Sequence, residues 1–392
     1  MSCIAFNPYK DKFGGPYLGT LVLLLVFLEP PFIVETPALS SVDSAITVLK
    51  MVLCLVGMCF AVLQIVDGDI VLGALSAVVG ILFVESCVLP KGSPYVCLIE
   101  FGVWIPFYAL FKNLCKQSFQ QVLRAATTFF LIAITINMVT EVMFPITAGD
   151  ALSVGTSGQP HWFLGHKNHF ALYFILTTGL SLMLDRVYSK KISAKTLVII
   201  GVSLVSSLLG LSSTGLVVYL LLLFCLFANR WLTPIRLFYA DVVCFVAFVL
   251  VRLQYLFSWV IGSVLHKDIT FTGRTEIWDQ EIRAIQNHPL FGVGVNKVEE
   301  IGFFYKGNQF HGHDLYLYLV YQGGALGAVS LILFIAVVIK ACKRVLDSKM
   351  RLILGTCLAC YAFFSIFDFS YLPFIVPLLS AMAFLPGDGA NE

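Results

Sequence analysis

The chain has 392 residues, of which 59% are hydrophobic and only 12% charged, with a formal net charge of +2. Soluble domains carry charge on roughly a quarter of their residues, so a chain this poor in charge has little surface to offer water and must present its exterior to lipid. A balance so close to neutral also gives nucleic acid nothing to grip, and no nucleic-acid partner is expected.

A membrane-spanning helix takes roughly 20 mostly apolar residues. Windows of that kind fall at 17–34, 44–65, 69–88, 94–111, 121–143, 169–184, 196–211, 214–229, 236–257, 314–340, 350–368 and 370–386, which predicts an all-α polytopic membrane protein with about twelve transmembrane helices. No small-residue cleavage site follows 17–34, so that segment reads as the first span and not as a removable leader. The division of 196–229 rests only on Ser212, Ser213 and Thr214, and the last two spans part near Asp368–Pro373. Cysteines inside the spans, including the Cys357-x-x-Cys360 pair, read as small apolar packing residues. Cys87 and Cys97 are the pair that could meet in a loop as a disulfide.

Orientation follows from lysine and arginine, which concentrate in cytoplasmic loops. Lys10/Lys12, Lys112/Lys116/Arg124, Arg186/Lys190/Lys191/Lys195, Arg230/Arg236 and Lys340/Lys343/Arg344/Lys349/Arg351 hold 16 of the 25 basic residues and all fall on one alternating set of loops. That set, with both termini, is expected in the cytoplasm. The opposite set contains two long polar segments, about 144–168 and 258–313, and all seven histidines lie in or beside them. The chain therefore divides into helices over 1–257, a large external loop over 258–313 and further helices with a short tail over 314–392. Loops beyond about 12–15 residues usually have a functional reason.

Within the large loop, Thr272 or Thr275 can cap a helix running to about Gln286, with Pro289 beyond its end. Trp278, Ile282 and Ile285 lie on one face and Asp279 and Arg283 stand four apart, so the spacing predicts an amphipathic helix lying in the membrane interface. Gly292 and Gly294, in the PLFGVG turn, would let backbone approach a ligand closely. Charges inside the predicted spans are Lys50, Glu85, Glu100, Glu141, Asp241, Arg252 and Asp368, of which Arg252 stands out because it lies just ahead of the loop.

Thr272-Gly273-Arg274 with Trp278, then His288-Pro289-Leu290 with Gly292 and Gly294, then His313-Asp314 with Leu317, then Gly324 and Gly327, resemble the shared region of the O-antigen ligase and Wzy-type O-antigen polymerase superfamily. The resemblance implies a metal-independent, cofactor-free membrane glycosyltransferase that takes a glycan from a polyprenyl-diphosphate carrier. Arg274 matches the family's essential loop arginine, whose fork-shaped guanidinium suits a diphosphate. His313 matches its essential histidine, an imidazole able to take the proton of an acceptor hydroxyl; His311 is the spare candidate. Asp314 stands where asparagine is commoner.

Gly165-His166-Lys167-Asn168-His169 is similar to a segment of the superfamily's polysaccharide polymerases, and its cations at a helix N-terminus would bind the diphosphate. Glu276 and Trp278 complete the expected glycan-binding set with Arg252, Gly292 and Gly294. The chain departs from many ligases of the family at Ser212-Ser213-Thr214, where those carry a second arginine. This favours a polymerase of O-antigen, capsule or exopolysaccharide over a ligase to lipid A–core. Expected partners are the lipid-linked donor and acceptor oligosaccharides, the bilayer of the bacterial inner membrane, a chain-length regulator and a flippase. A transporter is the competing class, but no repeat relates the two halves and the polar residues crowd one face. Cysteine labelling should reach residues 145–168 and 260–312 from the external side; labelling of Lys340–Arg351 from that side would overturn the orientation.

Overall fold

The computed structural model describes residues 14–149, 151–154, 160–189, 191–227, 233–259, 270, 273–296, 302–305, 308–310, 312–368 and 372–385. Thr272, His266 and His311 lie outside them. The helices are α1 Gly15–Phe27, α2 Pro31–Glu35, α3 Ser40–Val66, α4 Ile70–Val88, α5 Pro94–Cys97, α6 Trp104–Met143, α7 Phe170–Tyr188, α8 Ala194–Leu209, α9 Ser213–Phe227, α10 Pro234–Cys244, α11 Arg274–Asn287, α12 Leu315–Arg344, α13 Ser348–Phe367 and α14 Val376–Phe384. Two small antiparallel sheets accompany them, β1–β2–β3 (Ser153–Val154, Pro160–Trp162, Gly165–His166) and β4–β5 (Phe303–Tyr305, Asn308–Phe310).

Six helical runs among the described residues are long and apolar enough to cross a membrane: Pro37–Val66, Ile70–Val88, Pro94–Ala148, Lys167–Tyr188, Leu315–Arg344 and Ser348–Phe367. Gly15–Phe27, Ala194–Leu209, Ser213–Phe227 and Pro373–Phe384 are shorter apolar helices. The membrane class is thus as the sequence predicts, whereas the count of twelve full spans is not reproduced. Two causes are local. The windows 94–111 and 121–143 join into one helical run that breaks at Ser118 (φ −160°, ψ 96°), whose hydroxyl accepts from the Gln121 N–H to restart the helix. The window 236–257 opens as α10, loosens into a π-helical stretch at Phe245–Leu250 and stops at Arg252, which adopts the left-handed conformation.

The most enclosed spans are α7 and α13, with 83% and 72% of their apolar windows buried by protein. They press together where a Cβ on Gly179 would fall 2.6 Å from Cys357 Sγ, so Cys357 is a packing residue between helices. Cys87 is exposed, Cys97 is buried and both are free thiols, so the sequence-suggested bridge between them is not formed.

The glycine-rich turn after α11 answers a break in α12. Gly324 has φ 53° and ψ −149°, which interrupts the helix and leaves the Tyr321 and Gln322 carbonyls without their helical donors. Val293 and Gly294 supply N–H groups to those carbonyls at 3.1 and 2.9 Å, and Ala325 N–H returns to the Pro289 carbonyl at 2.9 Å. The approach is backbone on backbone: a Cβ on Gly292, itself at φ +65°, would lie 2.4 Å from the Gln322 oxygen, and one on Gly324 would lie 2.5 Å from Gly292 N. The far end of the turn is fixed to α4, where Val295 N–H donates to Ser86 Oγ at 2.9 Å. Gly292 and Gly294 therefore make their close approach to protein backbone, Gly292 to Tyr321 and Gln322 and Gly294 to Gly92 and Ser86. Gly292→Ala should destabilise the protein by at least ~1–2 kcal/mol from the left-handed backbone alone, with the steric conflict added. A thermal midpoint in detergent equal to that of the parent chain would contradict this packing.

Candidate functional site

Asp368 ends α13 with a side chain only 7% exposed. Its Oδ2 accepts from an Arg274 guanidinium nitrogen at 3.0 Å and from Asn168 Nδ2 at 2.9 Å. Its Oδ1 lies 3.7 Å from His313 Nδ1, within ion-pair reach but longer than a hydrogen bond. Burial by itself would raise the carboxyl's pKa, but Arg274 and His313 reverse that effect and hold it far below the ordinary range, so Asp368 is a carboxylate.

The partners arrive from four helix starts. Arg274 is the first residue of α11, His313 precedes the N-cap of α12, and Asn168 lies in the short 3-10 turn that opens into α7. The fourth is α9: Ser212 Oγ donates to Asn168 Oδ1 at 3.1 Å and accepts from Gly215 N–H at 3.2 Å. Ser212 is thus a hydrogen-bonding link between α9 and the same cluster. Helix N-termini carry partial positive charge, so their convergence on an anion is electrostatically consistent.

Behind His313 stands a second buried acid. Glu281 is fully buried, and neither of its carboxyl oxygens has a hydrogen-bond partner among the described residues. A Cβ on Gly312 would fall 1.8 Å from Glu281 Oε1, so the backbone at Gly312 lies directly on this carboxyl. Asp314, also fully buried, caps α12 by accepting from Tyr316 and Leu317 N–H at 2.8 and 2.9 Å. Burial, and then the neighbouring Asp314, push the Glu281 carboxyl well above its usual range; burial likewise raises Asp314. The Gly312–Asp314 segment is held between Glu281 on one side and Asp368 on the other, which fixes where the His313 ring sits.

Other expected site residues are placed differently. Arg252 stacks over Trp278, 5.1 Å from the ring centre, and bonds Asp279 Oδ1 at 2.5 Å and the Thr275 carbonyl at 3.4 Å. It clasps α11 and does not join the Asp368 cluster. Asp279 consequently pairs with Arg252, and no Asp279–Arg283 ion pair forms among the described residues. Trp278 is fully buried with Val249, Leu317 and Ile366, so the apolar stripe of α11 faces protein and not a lipid interface. The cause is the π-helical stretch before Arg252 and the body of α13, which already cover that face. Glu276 points outward and is exposed. Thr275 is buried inside the first turn, and the N-cap position belongs to Gly273.

In the 165–169 segment, Lys167 is half-buried beside Asn168. Burial, followed by the neighbouring His169, lowers the His166 pKa to about 4, so this ring is neutral near pH 7 and adds no positive charge to the anion site expected there. His161 is turned away to Glu35, with Nδ1 2.6 Å from its Oε1. Asp368, Ser212 and Glu281 carry the arrangement without having been assigned a role from sequence. Asp368 was visible only as one charge between apolar windows.

A polytopic apolar bundle that gathers an arginine, an imidazole and a carboxylate at one end defines a membrane protein with a polar site at its helix termini. Residues 196–332 match the O-antigen ligase family model. This stretch, about a third of the chain, runs from α8 into α12 and contains Ser212, Arg274, Glu281 and His313; the match supports membership of the O-antigen ligase/polymerase superfamily. No curated protein matches the chain.

Glu281 yields a pH test. Its folded-state pKa is raised, so the folded chain keeps a proton that the unfolded chain releases near pH ~4.3. Stability is therefore full below that pH and declines as pH rises toward the folded-state value. Glu281→Gln, neutral at every pH, should flatten part of the decline in thermal midpoint between pH 5 and 9. An unchanged slope would show that Glu281 is not held as the neutral acid.

Proposed function

We propose that this chain is an inverting glycosyltransferase of the bacterial inner membrane that polymerises O-antigen, capsule or exopolysaccharide repeat units from polyprenyl-diphosphate-linked donors on the external face. The observation that carries this reading is the sharing of one carboxylate. Asp368 holds Arg274 through Oδ2 and faces His313 Nδ1 with Oδ1. Two residues the family resemblance assigns to leaving group and acceptor are thereby set beside each other.

The roles divide by chemistry. Arg274 spends one nitrogen on Asp368, and its remaining N–H groups are the donors offered to the diphosphate as the bond to the anomeric carbon breaks. Asp368 orients the His313 ring and stabilises it once it becomes cationic, in the way a carboxylate supports a histidine base. The far nitrogen of His313 takes the proton of the acceptor hydroxyl as its oxygen bonds the anomeric carbon with inversion. The diphosphate leaves with the electron pair of the broken C–O bond. Lys167, one residue from Asn168, adds positive charge for the carrier.

Transfer to lipid A–core or another acceptor is the second reading, favoured by the description of the matching family as O-antigen ligase. Polymerisation is favoured by Ser212-Ser213-Thr214, which offers no second arginine. In membranes supplied with lipid-linked repeat units, His313→Ala should cut transfer by about 10²–10⁴, collapsing a polymer ladder to single units. Arg274→Lys should also be severely impaired, because a point charge lacks the bidentate fork. EDTA should leave activity intact. A normal ladder from His313→Ala would remove the assigned base, and a strict Mg²⁺ or Mn²⁺ requirement would overturn the arginine's role.

A further inference from the structure

At the end of the bundle away from the Asp368 cluster, the helices leave a basic cavity that the proposed chemistry does not use. The space measures about 520 Å³ and opens between the start of α10, the last turns of α12 and the start of α13. Its apolar wall is Phe238, Ile339 and Leu352, and its rim carries Lys343, Lys349 and Arg351. The wall is rigid where α10 meets α13: a Cβ on Gly355 would lie 2.4 Å from Pro234 Cβ.

The charges on the rim are available. The nearest acid, Asp347, is already occupied: Arg186 grips its two oxygens at 2.6–3.1 Å, and its Oδ1 also caps α13 through Lys349 and Met350 N–H. The ammonium groups of Lys343 and Lys349 form no ion pair among the described residues. Arg351 donates from one nitrogen to the Lys343 and Val345 carbonyls at 3.4 and 3.1 Å, which closes the end of α12 and fixes the guanidinium at the rim. Three cations thus border an apolar recess where two long apolar helices emerge from the bilayer.

We infer that this cavity is a binding site for an anionic phospholipid, with the phosphodiester among Lys343, Lys349 and Arg351 and the upper acyl chain against Phe238, Ile339 and Leu352. The rim alone suits any phosphate. The apolar wall continuous with it commits the site to an amphiphile, and basic pockets between membrane helices are the general form of lipid headgroup sites. The inference is independent of the glycosyl-transfer reading, because binding is measured with no sugar substrate present.

The test uses the full-length protein in a neutral detergent, with native mass spectrometry counting bound lipid across a titration of phosphatidylglycerol or phosphatidylcholine. Phosphatidylglycerol should be retained at concentrations where phosphatidylcholine is not. The double variant Lys343→Gln/Lys349→Gln, altered at exposed positions, should weaken that retention by about 30-fold, from about tenfold or less per surface cation. Arg344→Gln, an exposed cation outside the lining, should change it little, and millimolar inorganic phosphate should not displace the lipid. Equal loss from Arg344→Gln, or no loss from the double variant, would reduce the effect to general surface charge and overturn the site. Displacement by inorganic phosphate would make it a simple anion site and overturn the lipid assignment.

Discussion

One carboxylate at the end of a buried helix organises the polar end of this molecule. Ionised Asp368 in a mostly apolar surrounding is tolerable only while Arg274, His313 and Asn168 surround it. Removing one partner of such a pair strands the other charge, typically at a cost of about 3–5 kcal/mol. The requirement acts on the whole bundle, because these partners belong to α11, to the lead-in of α12 and to the entry of α7, with α9 joined through Ser212. A site assembled this way keeps its parts in register by electrostatics at the point where helices alone would leave them free to slide.

Packing beneath the cluster gives it a firm base. The break in α12 at Gly324 leaves carbonyls that only the turn after α11 satisfies, so α11 and α12 are joined by backbone hydrogen bonds as well as by side chains. Arg252 adds a clasp across the outer side of α11 through Trp278 and Asp279. Glu281 fills the space under Gly312 as a neutral acid. Each device constrains Arg274 or His313 from behind, as the preorganised chemistry proposed for them requires.

The membrane class and the positions of most helices were legible from apolar windows, and Arg274, His313 and Asn168, which meet at Asp368, all lie in motifs named from sequence. Asp368 was not singled out, because a lone acid between two apolar windows looks the same whether it anchors a site or merely ends a helix. Arg252 drew attention instead for its place in the chain, but its side chain is committed to α11. The glycines, read as points of close approach, make that approach to the backbone of α12 and to the end of α4 and its following turn. Periodicity reports that α11 has an apolar face; whether lipid or α13 covers that face depends on tertiary packing that the sequence pattern does not contain. The shape of the individual spans was hidden for a similar reason, since a hinge such as Ser118 and a loosened turn such as Phe245–Leu250 leave composition unchanged.

The double anchoring of the chain between α11 and α12 has a mechanical meaning. Val295 is tied to Ser86, and Gly312 is seated on Glu281. The sequence between Asn296 and Gly312 is thus bracketed by two fixed posts. Between them β4 is itself held to α11, where Gln280 Nε2 donates to the Phe304 carbonyl at 2.9 Å and its Oε1 accepts from Phe304 N–H at 3.0 Å, and Phe303 is buried against Tyr321. Strain placed on this stretch therefore travels through β4 into α11, the helix that begins at Arg274.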